Sequence, residues 1–421
     1  MGEHFYDVII VGGGPAGSSC GMFLKKLAPG LRVCIIDKQQ FPRNKPCGDG
    51  LSPAVVDLMA EAGLQHTFSD KHPISIFELS LGEAFRIRYD MRNLSHTRSF
   101  GFVYDRKFFD DHLLQHAVAN GVHLFEKHEI SKMEELSTTL TQLTCEHVGG
   151  TTRFTGNVVV GADGAYSKVR SYLNIAPNDG AHKGVSLRYY CTTTKFEELS
   201  LRIDFLKNLG YSYGWLFPLS PTVANVGVGI DADVYKKKNI NLNNELNAYL
   251  QLLQKSIPLQ IIPGTRAGYP LPYGTYLPKL AHGNKVLIGD AASMINPLTG
   301  EGIYYAMYAG KLLAGHLTEG FRSGASPESV LPLFDSDFKN HFQQHYQLNL
   351  KFKKLLTSPF APLFLRMLQK DPALLNRVMH IVMGNANTLD VKHLWLKMLK
   401  RSSWFVLQQF KKHISKQSAG V

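Results

Sequence analysis

The sequence predicts an α/β fold that combines a parallel sheet, an antiparallel sheet and a helical C-terminal region. Near the N-terminus a short β-branched run leads into a glycine turn and then a helix-compatible stretch. Aromatic and polar residues alternate over much of residues 183–274, and the pattern becomes helical after about residue 330. With 421 residues, 44% of them hydrophobic, the chain can bury a large core.

The first elements form a predicted βαβ unit. Residues 7–11 are apolar and β-branched, residues 16–27 suit a helix, and residues 33–36 form a second strand. A right-handed crossover then gives a parallel, Rossmann-like sheet. Because the strand-like runs 157–161 and 285–289 also lead into aspartates, we expect this sheet to be built from three separated segments.

A Gly-x-Gly-x-x-Gly pattern lies between the first strand and the first helix. Its glycines permit a tight turn, and the helix N-terminus offers N–H groups and a positive dipole to a pyrophosphate. An acidic residue at the end of the second strand is placed to bind ribose hydroxyls. The predicted dinucleotide contacts of this segment are Gly12, Gly14, Pro15, Ala16, Gly17, Asp37 and Lys38.

Two later segments place an aspartate just beyond a strand, where ligands bind in parallel α/β sheets. The first is Asp163-Gly164, followed by Ser167 and Arg170, and the second is Gly289-Asp290, followed by a turn at residues 296–302. A solitary Asp-Gly pair is more often a simple turn. Together with the glycine pattern, however, these segments resemble the glutathione-reductase-like superfamily of FAD-binding proteins, and within it the para-hydroxybenzoate-hydroxylase-like group.

That resemblance implies FAD as the cofactor and assigns roles to particular residues. Asp290 would bind the ribityl chain, and the helix that opens near Gly300 and Gly302 would direct its N-terminus at the flavin pyrimidine. Arg106 matches an arginine that the superfamily places near the cofactor, the alternative being a solvated helix charge. The remaining implied contacts are Asp163, Gly164, Gly289 and Pro297.

Two further motifs are similar to those of the geranylgeranyl reductase family, whose members hydrogenate isoprenoid double bonds. They are Lys45-Pro46-Cys47-Gly48-Asp49-Gly50 and Tyr213-Gly214-Trp215-Leu216-Phe217-Pro218, and the resemblance spans residues 5–330. Gly210 stands where the family pattern begins with proline, and Asp49 stands where glycine is common. These departures leave the particular prenyl substrate open.

The resemblance implies a catalytic role for Cys47, Gly48, Tyr213 and Trp215. The aromatic motif would form a rigid apolar wall beside the flavin, unless it is simply a strand packed in the core. The Cys47 thiol would steer the substrate or deliver a proton while flavin N5 supplies hydride, unless it is a small buried hydrophobe.

Two other functions stay open. A flavin-dependent hydroxylase or halogenase would use the same fold, although Tyr213 and Phe217 replace the first Trp and the Ile of the halogenase pattern Trp-x-Trp-x-Ile-Pro. A prenyl-lipid carrier without turnover is the second alternative. No second Gly-x-Gly-x-x-Gly marks a separate nicotinamide domain. Members of the superfamily can use NADPH transiently without such a domain, so either NADPH or a reduced redox protein would suit as electron donor.

The net charge of +12 is concentrated at the C-terminal end. Residues 351–421 carry 13 Lys and Arg against 2 Asp and Glu, whereas the first 350 residues are close to neutral. Because no nucleic-acid-binding pattern accompanies these cations, an anionic membrane surface is the expected partner, and nucleic acid is not. Within 390–415 a helix is predicted with opposed apolar and basic sides, which would lie on a membrane or dock on the protein.

Several broad features bound the setting. The five scattered cysteines lack the spacing of a disulfide framework or a metal site, and neither a leader peptide nor a membrane-spanning run is visible. We therefore expect a cytoplasmic, at most peripheral, protein without a metal, and no feature indicates its oligomeric state. The expected division is an FAD-binding domain (1–75, 100–182, 275–330), a substrate-binding sheet domain (76–99, 183–274) and a helical basic region (331–421).

Overall fold

The computed structural model describes residues 2–81, 85–93, 100–206, 212–358 and 360–382. Its strands are β1 (Gly2–Val11), β2 (Val33–Ile36), β3 (Gly50–Leu51), β4 (Ile76–Leu81), β5 (Phe85–Asp90), β6 (Phe102–Val103), β7 (His123–Phe125), β8 (Glu129–Ser137), β9 (Leu140–His147), β10 (Gly150–Gly161), β11 (Lys183–Thr192), β12 (Ser200–Leu206), β13 (Ser212–Ser220), β14 (Val223–Asp231), β15 (Gln260–Ile261), β16 (Ala267–Pro272), β17 (Ala281–His282) and β18 (Lys285–Leu287). Its helices are α1 (Pro15–Leu27), α2 (Pro53–Glu61), α3 (Arg106–Ala119), α4 (Lys168–Tyr172), α5 (Ala232–Lys237), α6 (Leu242–Gln254), α7 (Ile303–Ser323), α8 (Pro327–Leu356), α9 (Ala361–Lys370) and α10 (Pro372–Val382).

The first sheet has the strand order β17-β18-β10-β1-β2-β7, and its central strands β18, β10, β1, β2 and β7 are parallel. Val8, Ile9 and Ile10 are fully buried, as expected for a strand covered on both faces. The predicted parallel sheet from three separated segments is thus confirmed. β10 starts seven residues before the predicted strand, because its N-terminal half pairs with β9 of an antiparallel hairpin that was not predicted.

The second sheet has the order β15-β11-β14-β13-β12-β4-β5, with β16 paired to β11. All pairings are antiparallel except that of β12 with β4. The region 183–274 is not purely a sheet, however, because α5 and α6 interrupt it. The Asn241 side chain accepts a hydrogen bond from the Asn243 backbone N–H at 3.0 Å and starts α6, whose Leu246 and Tyr249 pack against the sheet.

Helices cover both sheets. α1 packs on α7 so closely that a Cβ on Gly310 would lie 2.6 Å from the carbonyl oxygen of Ala16. α8, α9 and α10 pack on the second sheet through an apolar cluster that includes Phe77, Phe352 and Phe364. The helical character predicted after residue 330 is confirmed to Val382. The helix predicted within 390–415 lies outside the described residues, and among those described no helix has the length and apolar character to cross a membrane.

Candidate active site

A cavity of about 440 Å³ lies where the carboxyl ends of β1, β10 and β18 face the second sheet. This volume falls in the usual range for small-molecule sites. Most of the residues predicted as site residues line it, although they come from six separate stretches of the chain. They are Gly12, Gly14, Pro15, Ala16, Asp37, Lys38, Cys47, Gly48, Arg106, Asp163, Gly164, Tyr213, Trp215, Gly289, Asp290, Gly300 and Gly302.

Two of the predicted residues do not line this cavity. A Cβ on Gly17 would lie 2.0 Å from the carbonyl oxygen of Gly12, so Gly17 permits the close passage of α1 over the turn. Pro297 is buried within the turn that precedes α7. The contribution of both residues is therefore to the shape of the surrounding backbone.

The glycine turn between β1 and α1 has the geometry of an anion site. Gly12 has φ +105°, and a Cβ there would lie 2.4 Å from the carbonyl oxygen of Ala162. The backbone N–H of Gly13 donates to Asp37 Oδ2 at 2.8 Å, which fixes the acid against the turn. Because the N-cap residue Gly14 has no side chain, the N–H groups of the first turn of α1 remain open to an anionic group.

The second and third segments interlock with this turn. Asp163 accepts hydrogen bonds from the Lys168 and Val169 backbone N–H groups at 2.7 and 3.2 Å, so its carboxylate also fixes the start of α4. Arg170 donates to the Ala291 carbonyl oxygen at 3.2 Å and to Ser293 Oγ at 2.8 Å, which joins α4 to the Asp290 turn. Asp163 and Arg170 therefore connect the segments that follow β10 and β18.

Arg106 begins α3 and is only 6% exposed, so the alternative of a solvated helix charge is wrong. Its Nε and Nη2 donate to the two carboxylate oxygens of Asp110 at 2.5 and 2.9 Å. Burial alone would lower the pKa of Arg106, but Asp110 and the side chain of Cys47 outweigh it and raise that pKa well above its usual range. A buried Arg106–Asp110 ion pair thus stands beside the Cys47 loop.

The Cys47 loop packs directly on the aromatic motif of β13. A Cβ on Gly48 would lie 3.3 Å from both the Phe217 ring and Trp215 Nε1. All five cysteines are free, and Cys47 is partly exposed whereas Cys20, Cys34, Cys145 and Cys191 are buried. Cys47 is therefore less buried than the other four cysteines, although it packs partly against the apolar core, and it lines the same cavity as Trp215.

Tyr213 joins this wall to the turn before α7. Its hydroxyl donates to the Thr299 carbonyl oxygen at 3.0 Å, and a Cβ on Gly300, which has φ +71°, would lie 2.3 Å from the same hydroxyl oxygen. The departure noted at Gly210 lies outside the described residues. The motif therefore lines the cavity and also supports the turn on its opposite side.

Residues 5–346 match the sequence pattern of the FAD-binding domain family. The chain belongs to this family. It is an FAD-dependent oxidoreductase related to geranylgeranyl reductases, as the motifs predicted.

Curated relatives cover most of the chain. Menaquinone reductase of Mycobacterium tuberculosis is 29% identical over 399 residues, 91% of this chain and 92% of its own length. Digeranylgeranylglycerophospholipid reductase of Methanocella arvoryzae is 28% identical over 361 residues, 84% of this chain and 87% of its own.

Solved structures share the fold. A geranylgeranyl bacteriochlorophyll reductase-like protein of Thermoplasma acidophilum superimposes with a TM-score of 0.75 at 22% identity, covering 85% of this chain and 88% of that one. A flavin-dependent brominase superimposes with the same TM-score at 19% identity, covering 95% and 99%. The fold is therefore shared by reductases and by enzymes that carry out other flavin chemistry.

The residues of the cavity fit FAD. The open N-terminus of α1 suits the pyrophosphate, and Asp37 stands where a ribose would lie. A Cβ on Gly289 would lie 2.9 Å from that of Ala16, so the strand ends leave room only for backbone near the cofactor. Asp290 and the N-terminus of α7, whose N-cap is Gly302, would then face the ribityl chain and the flavin pyrimidine.

Lys45 was not among the predicted site residues, although it belongs to the same run as Cys47. Its Nζ lies 3.6 Å from Asp290 Oδ2 and 3.1 Å from the centroid of the Tyr269 ring. Burial lowers the pKa of Lys45 to about 8, with Asp290 opposing the shift. The lysine therefore holds Asp290 at the edge of the cavity.

Glu301 was also missed, because a single Glu between two glycines carries no signal of its own. It lines the cavity, and its Oε1 is buried without a hydrogen-bond partner among the described residues. Burial raises the pKa of Glu301 to about 7, and the neighbouring Ser52 side chain opposes this by a smaller amount. The cavity thus contains a carboxyl group that titrates near neutrality.

Proposed function

We propose that this enzyme reduces isolated C=C bonds in the prenyl chain of a lipid, quinone or pigment precursor. The observation that carries the proposal is the apolar half of the cavity. Its lining on the side of the second sheet is Phe77, Met91, Leu201, Ile203, Trp215 and Phe217. A long hydrocarbon can lie against such a surface, and the relatives named as menaquinone and digeranylgeranylglycerophospholipid reductases support a prenyl substrate.

Bound FAD, once reduced, would supply a hydride to one carbon of the double bond. The chain's own residues have to supply the rest, because an isolated alkene has no carbonyl group that could be polarised. With a prenyl chain bound, the apolar wall around Trp215 would exclude water, and Cys47, with Gly48 packed on that wall, would steer the substrate or deliver the proton. Tyr213 would hold the turn beside the flavin.

The test is anaerobic turnover with the FAD-loaded protein. Dithionite reduces the flavin, so that the result does not depend on whether the natural donor is NADPH or a reduced redox protein. The substrates are a menaquinone and a geranylgeranyl lipid with unsaturated chains. Once air has returned the quinone ring to its oxidised form, mass spectrometry should show two hydrogens added to the prenyl chain for each double bond reduced. Protein with oxidised flavin serves as the control and should leave both lipids unchanged.

Other outcomes would overturn the proposal. Products that form only with oxygen, and that carry oxygen or halogen, would favour the hydroxylase or halogenase alternative, whose fold this chain shares. A lipid that binds and is recovered unchanged under all conditions would favour the carrier without turnover.

We also propose that the basic C-terminal region binds an anionic membrane surface and gives the enzyme a cytoplasmic, peripheral location. The support is the net charge of +11 in residues 351–421. In liposome flotation, the full chain should float with anionic vesicles, and a variant without residues 385–421 should not. Vesicles of neutral lipid are the control, and equal flotation of the two proteins with anionic vesicles would contradict the proposal.

A further inference from the structure

Asp49 is an unusual residue for its place in the Cys47 loop. It is 0% exposed and has φ +65°, a left-handed conformation that favours glycine. In the geranylgeranyl reductase pattern glycine is common at this position. The chain therefore keeps a buried carboxyl group where a glycine would satisfy the backbone at lower cost.

The carboxyl group of Asp49 reaches the second sheet. Its Oδ2 accepts the Tyr190 hydroxyl at 2.6 Å and Asn225 Nδ2 at 2.8 Å. The same Asn225 Nδ2 donates to the Cys47 carbonyl oxygen at 2.7 Å, and Asn225 Oδ1 accepts Trp215 Nε1 at 2.9 Å. One carboxyl group thus closes a network that runs from the loop to three strands.

This network is costly, which argues that it has a purpose beyond filling space. Asp49 Oδ1 is buried with no hydrogen-bond partner among the described residues. Burial raises the pKa of Asp49 to about 6, although the bonds from Tyr190 and Asn225 act in the opposite direction. Asn225 is itself fully buried, so no water can replace the carboxylate as its partner without rearrangement.

We infer that Asp49 is a positioning residue, whose carboxylate fixes the Cys47 loop against the Trp215 wall and so sets where the thiol stands in the cavity. Without it, the loop would keep the bond of Asn225 to the Cys47 carbonyl oxygen and that of the Tyr104 N–H to the Asp49 carbonyl oxygen, but it would lose its side-chain connection to Tyr190 and Asn225. The inference deepens the proposed function, and it rests on that function only in taking the Cys47 thiol to act on the substrate. The contacts themselves do not depend on the substrate.

Cys47 alkylation tests this directly, because Cys47 is partly exposed and the other four cysteines are buried. In the FAD-loaded protein, Asp49→Gly should raise the rate of labelling by iodoacetamide by about tenfold, since the two hydrogen bonds that tie the loop to Tyr190 and Asn225 are lost and the thiol becomes more accessible. Glycine fits the left-handed backbone, so the variant isolates the carboxyl group. Asp49→Asn also tolerates that backbone, retains an acceptor for Tyr190, and should restore a rate close to that of the original chain.

A spectroscopic signal gives a second readout. The chain has three tryptophans, at 215, 395 and 404, so Trp395→Phe with Trp404→Phe leaves Trp215 alone. In that background Asp49→Gly should shift the Trp215 emission, because Asn225, which accepts the hydrogen bond of Trp215 Nε1, loses its own bond to Asp49. Asp49→Asn should leave the emission unchanged. Cys47→Ser confirms the labelled site.

Asp204 provides a matched control. It is a 2% exposed aspartate on β12 that accepts the Tyr249 hydroxyl at 2.7 Å, and it is absent from the cavity lining. Asp204→Ala should lower the thermal unfolding midpoint without changing Cys47 labelling. Unchanged labelling and emission in Asp49→Gly would overturn the inference, as would an Asp49→Asn variant that behaves like Asp49→Gly. Neither readout uses a prenyl substrate, so a failure of the proposed reaction would be seen separately.

Discussion

The two sides of the cavity are built by different means. On the side of the first sheet, backbone meets backbone, so that a Cβ on Gly12 or Gly17 would lie within 3 Å of a carbonyl oxygen. On the side of the second sheet, the contacts are hydrogen bonds between side chains, such as that of Trp215 with Asn225. Closely packed backbone has no room for an added Cβ atom, whereas a network of side-chain hydrogen bonds can lose one side chain and keep its other bonds. We therefore expect substitutions on the first side to remove FAD and those on the second side to act on turnover, with at most a small loss of FAD affinity.

The largest effect is expected for Gly12→Ala. Gly12 has a left-handed φ, and the added Cβ would lie 2.4 Å from the Ala162 carbonyl oxygen. The substitution should therefore lower the unfolding free energy by on the order of 3 kcal/mol and prevent FAD from binding. Flavin absorbance of the purified protein and urea unfolding measure both effects. Gly30→Ala is the control, because nothing lies within 4 Å of its Cβ. A Gly12→Ala protein with full FAD content would show that the first side adapts after all.

Cys47→Ala should separate the two sides most clearly. We expect unchanged FAD content and a fall of about 100-fold in anaerobic prenyl reduction, the usual size of a lost acid or positioning group. Single-turnover rates of flavin reoxidation by the lipid measure this. Cys191→Ala removes a buried thiol of the second sheet and should leave the rate unchanged. A similar loss in both variants would point to a general disturbance of the sheet.

Glu301→Gln tests the electrostatics at the boundary between the sides. Because burial raises the folded pKa of Glu301 from 4.5 to about 7, its contribution to stability is present below pH 4.5 and is lost as the pH rises through 7. The uncharged variant should therefore be more stable than the original chain by about 3 kcal/mol at pH 8, and nearly equal to it at pH 4.5. Urea unfolding at both values measures the difference. A constant difference across this range would contradict the assignment.

The smallest effect is expected for Tyr213→Phe, which removes the one hydrogen bond from the wall to the Thr299 carbonyl oxygen. The loss of about 1 kcal/mol should weaken FAD binding by about fivefold, because the turn beside the flavin loosens while its backbone path stays in place. Quenching of flavin fluorescence gives the affinity. Tyr235→Phe, on a surface helix, is the control, and an unchanged affinity in Tyr213→Phe would mean that the two sides are independent.

The same contrast explains how much the sequence could predict. The residues of the first side can be predicted from local motifs, since Gly12, Asp163 and Asp290 each follow a strand in a recognisable run. The parallel sheet then brings the three residues together. Lys45 and Glu301 carry no such signal, because their importance comes from burial by distant segments. The contacts of Asp49 with Tyr190 and Asn225 span 141 and 176 residues and depend on the strand order of the second sheet. No local pattern could have indicated them.

Secondary structure shows a similar limit. α6 was missed because alternating residues dominate its surroundings, although Asn241 is an ordinary helix-capping residue. The β8–β9 hairpin was missed because β8 is mostly exposed and has little apolar periodicity. Both errors concern elements that border the site without lining most of it, so the predicted fold class was unaffected.

The pairing of β10 with β1 and with β18 also affects how the protein folds during its synthesis. The glycine turn is synthesised first. The Gly289 turn and the N-terminus of α7, which complete the FAD site, are made only after more than two thirds of the chain has been synthesised. Until then the edge of β10 that later pairs with β18 is unpaired, and contacts of such long sequence separation form slowly. FAD can therefore stabilise the nascent chain only at a late stage of its folding.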